Sequence, residues 1–226
     1  MKPKILFCGY RDWSIEIYDF IEGKYGDKID FILVKTEEDF KEKIKDLSPE
    51  LIFFVGWSWL VDKDIVNKFT CICLHPSPLP KYRGGSPLQH QIINGEKKSA
   101  VTLFIMDEFV DKGPIVWQEK ISLDGNLDEI FTRIIEKGKI GLNKIIDMFL
   151  NEENIKGFPQ DESKATYYER RTPEQSEIKL SDFEKYTAEE LKNKIRALQD
   201  PYPNAFIMCK DGTKLFLQKA KIGDKK

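Results

Sequence analysis

The sequence predicts an α/β fold: a Rossmann-like, mostly parallel twisted sheet with flanking helices, followed by a small C-terminal extension with a helix and a β-hairpin. Three observations predict it. Short apolar runs alternate with helical segments in the first half of the chain, a long amphipathic segment follows, and the rest is more polar. Strands separated by helices of about ten residues are typical of βαβ units. With 226 residues, 41% of them hydrophobic, the chain can bury a full core.

Six apolar runs predict the strands, and helices are predicted between the first four. The runs lie at residues 5–8, 30–34, 51–55, 70–74, 100–106 and 114–121. Continuous apolar runs of this length are typical of strands buried on both faces. The intervening helices are expected at residues 13–21, 36–47 and 62–69. Gly9 after the first run is a lone glycine and not a GxGxxG motif, so the dinucleotide fingerprint is absent.

The best helix is predicted at residues 128–150, where apolar side chains recur at helical spacing. Asn126 and Glu129 predict a cap at its start. Residues 154–163 are polar and predict a linker, residues 188–198 a further helix, and residues 205–209 and 215–220 a hairpin. We therefore expect a catalytic domain at residues 1–151, followed by a linker and small extension at residues 152–226.

Charge and composition narrow the function classes. The chain has 36 Lys and Arg against 38 Asp and Glu, for a net charge of −2 and a pI near 5.9. A protein built to hold a nucleic-acid backbone usually has a basic excess, so we expect no nucleic-acid partner. No apolar run is long enough to span a membrane, and the four cysteines lack metal-type spacing. These features predict a cytoplasmic protein without a metal.

One of the two histidines follows a predicted strand directly. His75 begins the segment His-Pro-Ser-Pro-Leu-Pro-Lys-Tyr-Arg-Gly-Gly, whose three prolines stiffen the loop and whose glycines permit close approach. Ligands of open α/β sheets collect beyond the carboxyl ends of the strands. Strand alternation should place Cys71, Cys73 and His75 on one face of the sheet.

A second polar loop, residues 106–113, follows the strand at 100–106. It carries Asp107, Glu108 and Asp111 between two apolar strands. A carboxylate beside His75 would orient the imidazole for acid/base work. From the residues alone this pairing is a hypothesis, since loop histidines are often solvated and turn carboxylates often cap helices.

These motifs together resemble the N-formyltransferase family, which uses N10-formyltetrahydrofolate to formylate methionyl-tRNA, glycinamide ribonucleotide or amino sugars. The resemblance lies in the His75 segment and in Val-Asp-Lys-Gly-Pro-Ile around Asp111, and covers residues 4–121. It resumes at residues 166–206, with Tyr-Tyr-Glu-Arg-Arg-Thr-Pro-Glu, Ile-Arg-Ala and Pro-Tyr-Pro-Asn-Ala-Phe. The sugar N-formyltransferases are the most similar branch.

The resemblance implies a catalytic triad of Asn-x-His and a distant Asp, which falls on His75 and Asp111. The Asn position falls on Cys73, and a thiol is a weak donor for an oxyanion. Either the His75 imidazolium carries more of the oxyanion, or catalysis is slow or lost. A third reading makes Cys73 a nucleophile, and the simplest treats it as a buried strand cysteine.

The resemblance also implies binding residues. Those expected at the folate are Ser58, Trp59, Leu60, Met106, Asp107, Phe109 and Val110. For the acceptor substrate we expect Tyr10, Arg11, Lys81, Tyr82, Arg83, Gly85, Ser86, Gln89, Arg170 and Arg171. Arg11 follows the first strand at a predicted helix start, where anionic groups bind, and with Arg170 or Arg171 would contact a diphosphate or a sugar carboxylate. Surface ion pairing is an equal explanation for each arginine, and Ser86 also suits a helix cap.

The acceptor predicted at this stage is a nucleotide-linked amino sugar used in surface polysaccharide or glycan synthesis. Only about 60 residues follow the linker and the chain is mildly acidic, which argues against tRNA. The alternatives are a methionyl-tRNA formyltransferase-like enzyme, a formyl-folate hydrolase using Cys73, and a non-catalytic folate- or nucleotide-binding relative. An edge strand of the hairpin also suggests a homodimer.

Overall fold

A computed structural model describes residues 2–224. Met1 and the last two residues of the predicted extension, 225 and 226, lie outside this range. The strands are β1 (Lys4–Cys8), β2 (Asp30–Val34), β3 (Leu51–Val55), β4 (Cys71–His75), β5 (Arg83–Gly84), β6 (Lys98–Ile105), β7 (Ile115–Ser122), β8 (Tyr167–Tyr168), β9 (Phe206–Met208) and β10 (Lys214–Phe216). The helices are α1 (Asp12–Tyr25), α2 (Glu37–Asp46), α3 (Lys63–Lys68), α4 (Pro87–Ile93), α5 (Leu127–Leu150), α6 (Asp182–Lys185) and α7 (Ala188–Ala197).

Six strands form the main sheet in the order β2-β1-β3-β4-β6-β7. The four strands from β2 to β4 are parallel, because helices carry the chain back between them. Strand β6 is antiparallel to both β4 and β7, so the far edge of the sheet is mixed. The predicted α/β fold with a mostly parallel sheet is confirmed.

The sheet separates two hydrophobic cores. The larger core contains Ile72 and Leu74 of β4 together with buried residues of α1 and α5. The smaller core contains Cys71 of β4 and residues of α2, with Cys73 packed against it. The alternation predicted for β4 is therefore present, and His75 continues the row that faces the smaller core.

Helix α5 has the predicted cap. The Asn126 side chain accepts from the Glu129 backbone N–H, and the Glu129 carboxylate accepts from the Asn126 N–H. The helix lies against β6, β7 and α1. Helix α1 runs through Gly23 and ends at Tyr25, later than predicted, because its buried stripe continues to that tyrosine.

The segment predicted as a linker packs against the sheet. Phe158 forms a backbone bridge with Ile115 at the start of β7, and β8 pairs in parallel with β5. Both β5 and β8 are two-residue strands that the sequence analysis missed. The C-terminal hairpin β9–β10 is shorter than predicted, with three residues in each strand. The domain boundary at residue 151 stays a prediction.

No helix within residues 2–224 combines the length and the apolar character needed to cross a bilayer.

Candidate functional site

His75 ends strand β4 and its side chain is held from one side by the backbone. The ring is almost fully buried, and Nε2 lies 2.8 Å from the Tyr82 carbonyl oxygen. A carbonyl oxygen only accepts, so Nε2 must carry the hydrogen and donate it. The loop between them is itself fixed, because the Ser77 hydroxyl donates to the Lys81 carbonyl and Thr102 donates to that of Ser77. The remaining ring nitrogen, Nδ1, is the one available for chemistry.

Asp111 faces that nitrogen. Its Oδ2 lies 3.6 Å from His75 Nδ1 and accepts the Gly84 backbone N–H at 2.8 Å. Asp111 has a φ of 52°, a left-handed conformation that Asp tolerates better than most residues. The hypothesis that a carboxylate of this loop pairs with His75 therefore agrees with the geometry.

The hydrogen on Nε2 determines how Nδ1 and the Asp111 carboxylate can interact. A neutral ring with hydrogen on Nε2 presents a lone pair at Nδ1 to a carboxylate, which also only accepts. The contact becomes attractive when the ring or the carboxyl group gains one more proton. His75 and Asp111 therefore form a site that can hold and pass one proton, partly shielded from water.

Cys73 lies two residues before His75 on the same face. Burial raises the pKa of its thiol well above the ordinary value of 9.0, and the nearby Asp111 and Cys71 raise it further. The reactive form of cysteine is the thiolate, so this environment opposes nucleophilic use of Cys73.

The loops after β1 and β3 meet at the point where the strand order reverses. Tyr10 and Ser58 hydroxyls lie 2.6 Å apart, and the rings of Tyr10 and Trp59 lie 5.0 Å apart. Arg11 stacks on the Tyr10 ring at 4.7 Å. In open α/β sheets the crevice at such a reversal is the usual ligand site. The structure thus brings together two residues predicted for the folate and two predicted for the acceptor.

Tyr202 of the C-terminal extension packs against α5, with its ring 6.0 Å from that of Phe131. Phe131 in turn stacks on Trp13 of α1, two residues after Arg11. Burial raises the pKa of Tyr202 to about 12, while the charge of Arg11 opposes that rise.

The remaining residues predicted for the folate lie in the loops that follow β3 and β6. Met106 packs against the smaller core, and Asp107 accepts from the Phe109 backbone N–H in a tight turn. Leu60, Phe109 and Val110 are large apolar side chains that are 86%, 57% and 50% exposed. Exposed apolar side chains beside a polar site are typical of a ligand-binding surface. Their contact with a folate stays a prediction.

Arg83 is not placed to touch a substrate, contrary to the prediction, whereas a contact of Tyr82, which borders a pocket of about 290 Å³, stays a prediction. The Tyr82 hydroxyl donates to Glu96, and its ring stacks 4.9 Å from Tyr168. Arg83 is fully buried, and its guanidinium donates to Gln160, Glu162 and Tyr167. A buried charge needs such partners, and they leave no donor for a ligand. The backbone on either side of Arg83 contacts His75 and Asp111, through the Tyr82 carbonyl and the Gly84 N–H.

Lys81, Gln89 and Ser86, which were also predicted to contact the acceptor, lie in three different environments. Lys81 borders a separate pocket of about 290 Å³, together with Pro78 and Pro80. Gln89 of α4 is buried, and its contact with an acceptor stays a prediction. Ser86 precedes α4, but its side chain makes no cap bond and instead accepts the Arg171 backbone N–H. The simpler interpretation of Ser86 as a side-chain helix cap is therefore wrong.

Arg170 and Arg171 lie in the segment after β8. A Cβ on Gly85 would lie 2.4 Å from the Arg170 Cα, so the two backbones touch. The Arg171 side chain donates to the Gln175 carbonyl and lines a cleft of about 880 Å³ with Lys194. The residues that line this cleft include neither His75 nor Asp111. The cleft that Arg171 lines therefore does not include the His75–Asp111 pair or the crevice at Tyr10 and Arg11, and a contact of Arg170 or Arg171 with an acceptor stays a prediction.

Four further functional groups escaped the sequence analysis. They are the Tyr82 carbonyl, the Gly84 N–H, and the side chains of Gln160 and Glu162. Backbone groups carry no sequence signal, and the other two lie in a polar stretch that looks like a linker. Among residues 2–224, no three His, Cys, Asp or Glu side chains cluster as a metal site requires.

This fold and site define a doubly wound α/β protein with a His–Asp pair held at the carboxyl end of a central strand. Residues 33–146 match the Formyl transferase family, and residues 171–226 match the Formyl transferase, C-terminal domain. The chain therefore belongs to the formyl transferase family of enzymes.

Relatives found by sequence include methionyl-tRNA formyltransferases. The chain is 34% identical to that of Syntrophomonas wolfei over 193 residues, which cover 84% of this chain and 59% of that protein. The match to that of Carboxydothermus hydrogenoformans is 33% and covers 84% and 61%. The chain thus spans less than two thirds of the length of these curated relatives.

Solved structures of the same fold include enzymes with different acceptors. The methionyl-tRNA formyltransferase from Clostridium thermocellum has a TM-score of 0.76 and 31% identity, covering 95% of this chain and 96% of that one. A 4-N formyltransferase from Francisella tularensis has a TM-score of 0.77 and 23% identity, covering 97% and 99%. HypX from Aquifex aeolicus, solved with tetrahydrofolic acid, has a TM-score of 0.76 and 19% identity, covering 94% and 36%. The last two show the fold alone.

Proposed function

We propose that this chain transfers a formyl group from N10-formyltetrahydrofolate to a primary amine, with His75 and Asp111 as catalytic residues. The observation that carries the proposal is the fixed pair itself. His75 is held at Nε2 by the Tyr82 carbonyl and Asp111 at Oδ2 by the Gly84 N–H, which leaves Nδ1 and the carboxylate 3.6 Å apart. Groups fixed in this way need little reorganisation during a reaction.

The chemistry requires charge stabilisation and proton movement. The amine nitrogen bonds to the formyl carbon, the bond from that carbon to N10 breaks, and one amine proton ends on the departing nitrogen. His75, protonated at Nδ1, would stabilise the oxyanion, and Asp111 would orient the ring and share the proton. A thiol at Cys73 donates weakly, so in this proposal His75 carries most of the oxyanion.

The formyl donor would lie beside the loops after β3 and β6. Three features support this place: the paired Tyr10 and Trp59 rings, the exposed Leu60 and Phe109, and family membership. Aromatic and aliphatic faces of this kind suit a pterin ring.

We propose methionyl-tRNA ahead of a nucleotide-linked amino sugar as the acceptor, and the sequence relatives support this order. This reverses the order predicted from the sequence alone, because the named enzymes at 33–34% identity are methionyl-tRNA formyltransferases. The amino sugar remains the second candidate, supported by the net charge of −2, since nucleic-acid binding usually needs basic residues.

The hydrolase and the binding-only alternatives are weaker proposals. A hydrolase that uses Cys73 as nucleophile needs a thiolate, and burial raises the thiol pKa. A binding-only relative would bind folate without turnover, and the variant Cys73→Asn would then restore activity if the missing amide is the cause.

One assay tests the function. Purified chain is incubated with N10-formyltetrahydrofolate and, separately, methionyl-tRNA or UDP-, dTDP-, GDP- and CMP-linked amino sugars, and mass spectrometry detects the added formyl group. We expect His75→Ala and Asp111→Asn to lose roughly two or more orders of magnitude in kcat. His90→Ala is the matched control and should stay active. Formate release without a formylated amine would support hydrolysis and contradict the proposal.

The proposed homodimer would use the hairpin β9–β10, where Met208, Leu215 and Phe216 are exposed. Sedimentation at micromolar concentration tests it, and a monomer mass would reject it.

A further inference from the structure

Three consecutive residues hold both members of the catalytic pair. The Tyr82 carbonyl accepts from His75, the Gly84 N–H donates to Asp111, and Arg83 lies between them with its side chain buried. Any shift of this short segment would move the anchor of His75 and that of Asp111 together. The residues that fix Arg83 therefore control the geometry of the pair.

Arg83 is fixed by a segment that follows α5. Its guanidinium makes two bonds to Gln160 Oε1, at 3.1 and 2.8 Å, and two to the Glu162 carboxylate, at 3.1 and 2.7 Å. It also donates to the Tyr167 hydroxyl. Bidentate bonds to a planar guanidinium fix its direction as well as its distance.

Gln160 also reaches the other half of the pair. Its Nε2 donates to the Asp111 carbonyl at 2.9 Å and to the Gly113 carbonyl at 2.7 Å. One amide group therefore joins the loop that anchors His75 to the loop that carries Asp111. This double contact distinguishes Gln160 from Glu162, which bonds to Arg83 and pairs with Lys112 but makes no bond to the Asp111 backbone in the described structure.

The joined loops also hold unfavourable backbone conformations. Four non-glycine residues within 2–224 have positive φ, and three of them, Tyr82, Ser86 and Asp111, lie in these loops. Such conformations are unfavourable for residues with a side chain and persist where surrounding contacts impose them. The bond from Gln160 Nε2 to the Asp111 carbonyl is a contact of that kind.

We propose that Gln160 is a positioning residue for the catalytic pair, acting through Arg83 on His75 and through the backbone on Asp111. This inference rests on the proposed function of that pair. Gln160 touches no reacting atom, and its effect is to set the distance and the direction between Nδ1 and the carboxylate.

The variant Gln160→Glu separates the two contacts. A glutamate keeps an oxygen for Arg83 but has no N–H, so it opposes the Asp111 and Gly113 carbonyls with a negative charge. The matched control is Gln199→Glu, which makes the same change where an exposed amide donates to the Gln218 carbonyl. We expect kcat to fall at least about 10-fold in Gln160→Glu with KM changed less than about 2-fold, and neither to change in Gln199→Glu.

A spectroscopic readout makes the test independent of turnover. The chain contains two histidines, so side-chain NMR of ¹⁵N-histidine gives two sets of ring signals, which the variant His90→Asn assigns. We expect the His75 signals to shift or broaden in Gln160→Glu and to be unchanged in Gln199→Glu. Unchanged His75 signals, or a raised KM with normal kcat, would overturn the inference. If the wild-type chain shows no formyl transfer, the proposed function fails while the His75 signals still decide the role of Gln160.

Discussion

Gly84 gives the sharpest stability test of the site. Its φ of 92° is one that side-chain-bearing residues rarely adopt, and a Cβ there would lie 2.3 Å from the Tyr168 carbonyl oxygen. Gly84→Ala therefore adds two costs: a backbone strain of about 1–2 kcal/mol and an overlap that forces β8 away, at about 1–3 kcal/mol. We expect a total loss of roughly 2–5 kcal/mol in the free energy of unfolding.

Gly212→Ala is the matched control, because it carries only the first cost. Its φ is 79°, yet a Cβ at that position meets nothing within 4 Å. Urea unfolding followed by the fluorescence of the four tryptophans measures both variants. The difference between them isolates the overlap with Tyr168.

Comparing the loss of stability in Gly84→Ala and Gly212→Ala tests whether β5 and β8 are held in close contact. Equal destabilisation of the two variants would refute the argument, since it would mean that Tyr168 moves away freely. We also expect Gly84→Ala to lower kcat more than Gly212→Ala does in conditions where both are folded, because the Gly84 N–H holds the Asp111 carboxylate.

Three further predictions follow from burial. Burial raises the pKa of Cys8, Cys71 and Cys73, so iodoacetamide at pH 8 should spare all three until urea unfolds the chain, as mass spectrometry would show; early labelling of Cys73 would contradict this. Burial lowers the pKa of His90 below 6.5, so the unfolded chain binds a proton that the folded chain does not. The free energy of unfolding should fall as pH drops below 6.5, by at most about 1.4 kcal/mol per unit, and His90→Gln should flatten this slope in urea titrations. In α5, Ile134→Ala should cost about 2–5 kcal/mol and the half-exposed Ile140→Ala well under 1, and similar values in denaturant unfolding would contradict the helix orientation.

The sequence predicts those parts of the fold that depend on local patterns. The first four strands and α5 lie within a residue or two of their predicted positions, because apolar runs and the Asn126–Glu129 cap are local signals. The pairing of β5 with β8 could not be predicted, since two-residue strands have no periodicity and their partners are far apart in sequence.

In the candidate site, too, only the features with a local sequence pattern could be predicted. His75 and Asp111 carry the family motif and could be found from the sequence, whereas Arg83 was misread as a substrate contact. A lone arginine in a loop has no sequence feature that separates a ligand contact from a buried anchor. Its role depends on Gln160 and Glu162, which reach it only after the chain has crossed β6, β7 and α5.

We expect the choice of acceptor to depend on residues other than the proposed catalytic pair. The proposed catalytic pair is held by contacts with Tyr82, Gly84 and Gln160, whereas Arg11 stacks on Tyr10 in the crevice at the strand reversal. An acceptor that contacts Arg11 would be selected by that contact, because the pair itself only needs an amine. Substitutions at Arg11 should therefore change which acceptor is used and its KM, whereas those at Gln160 should change kcat for every acceptor alike. The His–Asp pair alone therefore does not choose between tRNA and a sugar.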